Sequence, residues 1–198
     1  MAYIALSTKH VRISAEEGSR VVEIAAVEMR DGAPTGESFH RYINPAIEVS
    51  EEALDAFGIS SDQLADKPPF AEVAPYFCDF IRGRAVITYD LNQVALLERE
   101  FVRLIGRLLP PWRGKNWDLD EQCSLQSLSM LARVIEVPGG DSLSEICTHY
   151  GTQPPASPGA LDEATCVGAA YAAMEPDIIA WESKYGEMII TTSSEEAD

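Results

Sequence analysis

Positive charge is what this chain has least of. Among 198 residues, 15 Lys and Arg stand against 32 Asp and Glu, a formal net charge of −17. Phosphate contacts come mainly from Lys and Arg and supply most of the affinity for DNA or RNA, so the chain as a whole is a poor non-specific nucleic-acid binder. Cysteine is sparse as well: Cys78, Cys123, Cys147 and Cys166 lie far apart without a C-x-x-C pair. That spacing argues against a zinc site and a disulfide framework and leaves four buried thiols as the expectation. No apolar run approaches the ~18 residues of a membrane span, and the N-terminus lacks a basic stretch leading into an apolar one. The expectation is a cytoplasmic protein with no membrane association. Repeats and low-complexity blocks are also missing. What is present is a globular composition, 46% hydrophobic and 24% charged, enough to build one domain's core.

Three short β-type runs open the chain: Tyr3 to Leu6, Val21 to Val27 and, after Asp31-Gly32-Ala33-Pro34, Ser38 to Ile43. They predict a three-stranded meander. A long connection with short helical turns follows, closed by Asp66-Lys67-Pro68-Pro69, and Val73, Phe77, Phe80 and Ile81 then share a face of a helix over Phe70 to Ile81. Ala85 to Tyr89 is a short apolar strand, feeding a helical segment that carries Val94, Leu97, Phe101, Leu104 and Leu108. Further expectations are a brief strand near Trp117 to Leu119, helical spacing from Ser124 to Ile135, a short helix over Ser142 to Tyr150, and a small-residue-rich helix from Ala160 to Met174 that Pro176 ends. Strands first, then alternating strand and helix, predict an α/β fold with a mixed central sheet flanked by helices. The expected division is a domain over residues 1–175 and a C-terminal extension over 176–198, apolar around Trp181 and Ile189-Ile190 and ending in a frayed acidic tail.

Four landmarks follow one another along the chain: the first strand followed by Val22-Glu23-Ile24-Ala25-Ala26-Val27-Glu28, the run Phe57-Gly58-Ile59, the string Asp66 to Val73, and Gly159-Ala160-Leu161-Asp162-Glu163-Ala164. In this order and spacing they resemble the DEDDh family of 3′-5′ exonucleases, and within it the proofreading subunits of bacterial replicative polymerases. The resemblance covers about residues 2–174 and implies a ribonuclease-H-like fold. It also implies two divalent ions, Mg²⁺ or Mn²⁺, held by clustered carboxylates that clamp the attacking and leaving oxygens of a phosphodiester. The family pattern is four acids and a general-base histidine. At the first, D-x-E motif this chain reads Ser7-Thr8-Lys9; at the second acid it has Gln93; at the H-x4-D motif it has Pro158 and Glu163.

One carboxylate of the five expected groups therefore survives, a methylene longer than the family's aspartate. An ammonium at Lys9 within about 4 Å of a dication would cost several kcal/mol even at an effective dielectric near 20. No metal cofactor is expected on this reading; if one bound, Glu163, Asp162 and Asp90 would be its ligands. A relocated site built from His10, Asp90 and Asp162 is a conceivable but less economical alternative. The simpler expectation is that Lys9 and Glu163 pair in the emptied site, and a Lys9 nitrogen turned away from Glu163 would contradict it.

Arg99, Arg103 and Arg107 recur every four residues on one helix face, with Arg113 and Lys115 just beyond. Together they form a candidate surface for nucleic acid or a partner, weighed against neutralisation by Glu98 and Glu100. Trp112 and Trp117 read either as base-stacking groups or as anchors of their own loop, and His40 and His149 as structural or surface residues. The resulting expectation is a catalytically degenerate, exonuclease-like protein with a binding or assembly role, its partner a protein or a second copy. The alternatives are a metal-dependent exonuclease with a rearranged site and a non-cleaving single-stranded nucleic-acid binder.

Overall fold

The computed structural model describes residues 2–14, 18–105 and 125–186. Among them five strands form one mixed sheet in the order β3-β2-β1-β4-β5. β1 (Ala2–Ser14), β2 (Gly18–Arg30) and β3 (Ala33–Tyr42) are the expected antiparallel meander. β4 (Val86–Thr88) lies parallel to β1, and β5 (Leu125–Ser127) parallel to β4. Because successive side chains of a strand alternate faces, β1 feeds both sides of the sheet. Tyr3 and Ala5 join Met29, Ile87 and Val167 in one cluster, whereas Ile4 and Leu6 join Phe77, Leu97 and Phe101 in the other.

The helices cover both faces. After α1 (Glu51–Asp55) and α2 (Ser61–Ala65), α3 (Phe70–Ile81) and α4 (Leu91–Ile105) pack on the Ile4 and Leu6 side. There Phe77 and Phe101 are fully buried, each worth about 1.5–3 kcal/mol in transfer from water. α5 (Leu128–Val134), α6 (Leu143–His149) and α7 (Ala160–Tyr185) lie on the Tyr3 and Ala5 side. α7 comes close to the sheet at Gly168, where a Cβ would stand 2.6 Å from Met29 Cγ, and Tyr3 donates its hydroxyl hydrogen to the Gly168 carbonyl at 2.7 Å. No helix among the described residues is long and apolar enough to cross a membrane.

Two expectations need correction. Helical spacing from Ser124 to Ile135 is interrupted, because Leu125 to Ser127 pair with β4 and the Ser127 side chain then caps α5 by accepting the Met130 N–H at 3.3 Å. Pro176 does not end α7, which runs on to Tyr185. A proline inside a helix forfeits one backbone hydrogen bond. Here Ile178 is buried in the core and Tyr150 donates to Asp177 at 2.8 Å, so tertiary contacts carry the helix through; residue 176 thus lies within α7. The strand expected near Trp117 to Leu119, and the residues Arg107, Trp112, Arg113, Lys115, Cys123 and Ile189-Ile190, lie outside the described residues.

Candidate functional site

The pleat of β1 places Ser7 and Lys9 on the same face as Tyr3 and Ala5, and so toward the first turn of α7. Both are buried. Glu163, in that turn, is the centre of what they meet. Its Oε1 accepts the Ser7 hydroxyl at 2.9 Å and the Gln93 side-chain amide of α4 at 2.6 Å, while its Oε2 pairs with the Lys9 ammonium. The pair is well shielded, with 10% of the Lys9 and 17% of the Glu163 side chain exposed. Gln93 extends the network by accepting the Thr8 backbone N–H at 3.2 Å and the Thr88 hydroxyl at 3.5 Å. Four elements, β1, β4, α4 and α7, are thereby tied through Glu163 and Gln93 together.

A second buried carboxylate adjoins this cluster. Glu23 of β2 sits directly opposite Lys9 in the antiparallel register and is 1% exposed. It accepts the Ala160 backbone N–H at 3.0 Å, satisfying an open donor at the start of α7, and its Oε1 lies 2.7 Å from His40 Nε2. A carboxylate at a helix N-terminus is favourable both as a hydrogen-bond acceptor and against the helix dipole. His40 thus takes a structural role beside the site. The sequence reading missed Glu23 as a member of this constellation, although a single charged residue inside the apolar run Val21 to Val27 was a visible signal.

The remaining candidates are directed elsewhere. Asp162 Oδ2 accepts the Ala156 and Ser157 backbone N–H groups at 2.5 and 2.6 Å and holds the loop before α7. Asp90 Oδ1 accepts the Asn92 N–H at 2.7 Å at the start of α4. His10 Nε2 lies 2.9 Å from Thr8 Oγ1, and its Nδ1 is buried with no hydrogen-bond partner among the described residues. Burial, and secondarily the charge of Arg103, push the His10 imidazole down to about 3, so it is neutral near pH 7. Pro158 is exposed; the position of a Cβ on Gly58 would be 3.7 Å from its Cγ. The ring of Phe57, beside Gly58, has its centroid 5.8 Å from Lys9 Nζ.

Of the basic surface candidates, Arg99 and Arg103 are among the described residues. Arg103 pairs with the buried Glu100 at 2.8 Å, and burial raises the Glu100 carboxyl despite that partner. Cys147 and Cys166 are buried free thiols and Cys78 is half-buried; burial pushes Cys166 up to about 11, which makes it a poor nucleophile.

The donor set does not fit a pair of divalent ions. Two adjacent dications need clustered anionic oxygens to offset their mutual repulsion, and Glu163 already has both oxygens engaged, one of them by an ammonium. Among the described residues no group of three His, Cys, Asp or Glu side chains is arranged to hold a metal.

Comparison with known proteins completes the picture. The family described as Exonuclease (RNase T) matches residues 8–157. The DNA polymerase III subunit epsilon of Pasteurella multocida (strain Pm70) is 33% identical over 136 residues, covering 68% of this chain and 50% of that protein. Its counterpart in Escherichia coli (strain K12) is 33% identical over 135 residues, 68% of this chain and 52% of that protein. The chain thus spans about half the length of these curated relatives. Among solved structures, a 3′-exonuclease described for 3′-end-specific recognition of histone mRNA stem-loop superposes with a TM-score of 0.71 at 15% identity, over 89% of this chain and 82% of that one. That likeness shows the ribonuclease-H-like fold.

Proposed function

The chain belongs to the exonuclease family, and from that premise we propose that it is a member whose inherited two-metal centre has been dismantled and which acts by binding rather than by cleavage. The observation that carries this reading is the state of Glu163. A carboxylate that accepts from Ser7 and Gln93 and pairs with Lys9 has no oxygen left to offer a dication at modest cost. Neutral oxygens at Ser7 and Gln93 and a cation at Lys9 replace the charge that two-metal hydrolysis requires.

A protein partner is the occupant this reading favours. The chain's net charge of −17 repels nucleic acid and suits a basic surface. Beyond Pro176, α7 presents Ile179 and Tyr185 at 55% and 61% exposure, with the Trp181 ring tilted against that of Tyr185, centroids 5.1 Å apart. The relatives are named as polymerase III subunits, in keeping with a role in an assembly. The test is a nuclease assay on 3′-labelled single-stranded oligonucleotides with Mg²⁺ and with Mn²⁺. Intact 3′ ends are expected. Shortening that disappears in Glu163→Ala would reject the proposal.

A further inference from the structure

Resting on the reading that the metal centre is gone, we propose that Lys9 is the fold's resident cation: its tethered ammonium holds α7 to the sheet where divalent ions would otherwise stand, and makes stability independent of metal.

The geometry leads there in three steps. First, Glu23 and Glu163 are carboxylates brought into the interior by two different elements, β2 and α7, and both stand beside the start of α7. Glu163 lies in the first turn of that helix, and Glu23 receives the N–H of its first residue. Second, Lys9 is directly opposite Glu23 in the β1–β2 register, so the two side chains leave the sheet on the same face, and the ammonium pairs with Glu163 from there. One cation on the central strand thus stands among negative groups from its neighbour strand and from the covering helix. Third, the ammonium is enclosed: Lys9 is 8% exposed and the Phe57 ring faces its nitrogen. The β1–β2 pairing register shifts by one residue immediately after Lys9, from Lys9 opposite Glu23 to His10 opposite Val21.

Removing the ammonium while keeping the carboxylates would leave buried negative charge without compensation, the situation in which breaking a pair is most costly. Replacing it by a carboxylate would go further, gathering Glu23, Glu163 and a new acid around neutral oxygens from Ser7 and Gln93. Such a cluster is stable only if an external cation enters it, and an ion that binds the folded state alone raises its stability.

The experiment is thermal unfolding of the full chain in chelator and in MnCl₂, for the wild type, Lys9→Met and Lys9→Glu. The wild-type midpoint should be the same in both buffers. Lys9→Met should melt lower by on the order of 10 °C in both, since one remaining carboxylate at the pair attracts little metal. Lys9→Glu should melt lower still in chelator and recover much of the loss in Mn²⁺. A Lys9→Met midpoint equal to the wild type's would overturn the proposal, as would a wild-type midpoint that climbs with Mn²⁺. Should Lys9→Glu fail to fold in chelator, the other two proteins still decide. Loss of catalysis is tested separately by the nuclease assay: an inactive wild type with an unshifted Lys9→Met midpoint removes the resident-cation proposal alone.

Discussion

At the scale of single residues, the site turns on where protons and charges are held. Glu163 is saturated by three donors from two elements, β1 and α4, and Glu23 divides its oxygens between His40 and a helix start. His10 is the residue whose titration has a readable consequence. Burial holds it neutral down to about pH 3, whereas in the unfolded chain it takes up a proton near its ordinary value of ~6.5. Below that value the unfolded state binds the extra proton, so stability falls as pH drops through the window from ~6.5 toward 3. We expect His10→Gln, which keeps a polar partner for Thr8, to flatten this loss by about 1 kcal/mol per pH unit, read from urea unfolding at pH 4 to 7. An identical pH slope in the two proteins would refute the assignment. The Lys9–Glu163 contact was legible because the family resemblance puts the two residues at positions that face the same metals, with Gly159-Ala160-Leu161 setting the register of Glu163, and the structure pairs them. The Glu23–His40 pair was not assembled from sequence, since its meaning depends on cross-strand register and on where α7 begins.

At the scale of elements, α7 is the piece on which the site depends. Its first turn delivers Glu163, Gly168 lets it approach Met29, and its passage through Pro176 carries Ile178 into the core. Sequence periodicity revealed the helix but not its end, because proline is a local stop signal and the contacts that override it come from Tyr150 and the core. The same limit applied to β5: three residues are too few for periodicity to separate a strand from a helix start, and only the open edge of β4 decides. Truncation after Glu175 is therefore expected to destabilise the fold by about 2 kcal/mol relative to a chain ending at Gly186, through loss of buried Ile178. Equal urea midpoints for the two proteins would show that the second half of α7 adds nothing to the core.

At the scale of the whole molecule, fold and charge point in different directions. The mixed sheet with helices on both faces was legible from the order of elements, and the family match agrees with it. The chain carries 32 acidic residues, yet among the described residues no group of three His, Cys, Asp or Glu side chains is arranged to hold a metal, and Glu163 is paired with Lys9. The account's central claim is that this centre no longer takes divalent ions. Calorimetric titration of the full chain with MnCl₂, preceded by chelator and dialysis, addresses that claim most directly. The account predicts heats that match dilution into buffer throughout. A saturable heat that vanishes in Glu163→Ala would contradict it and return the protein to the metal-dependent members of its family.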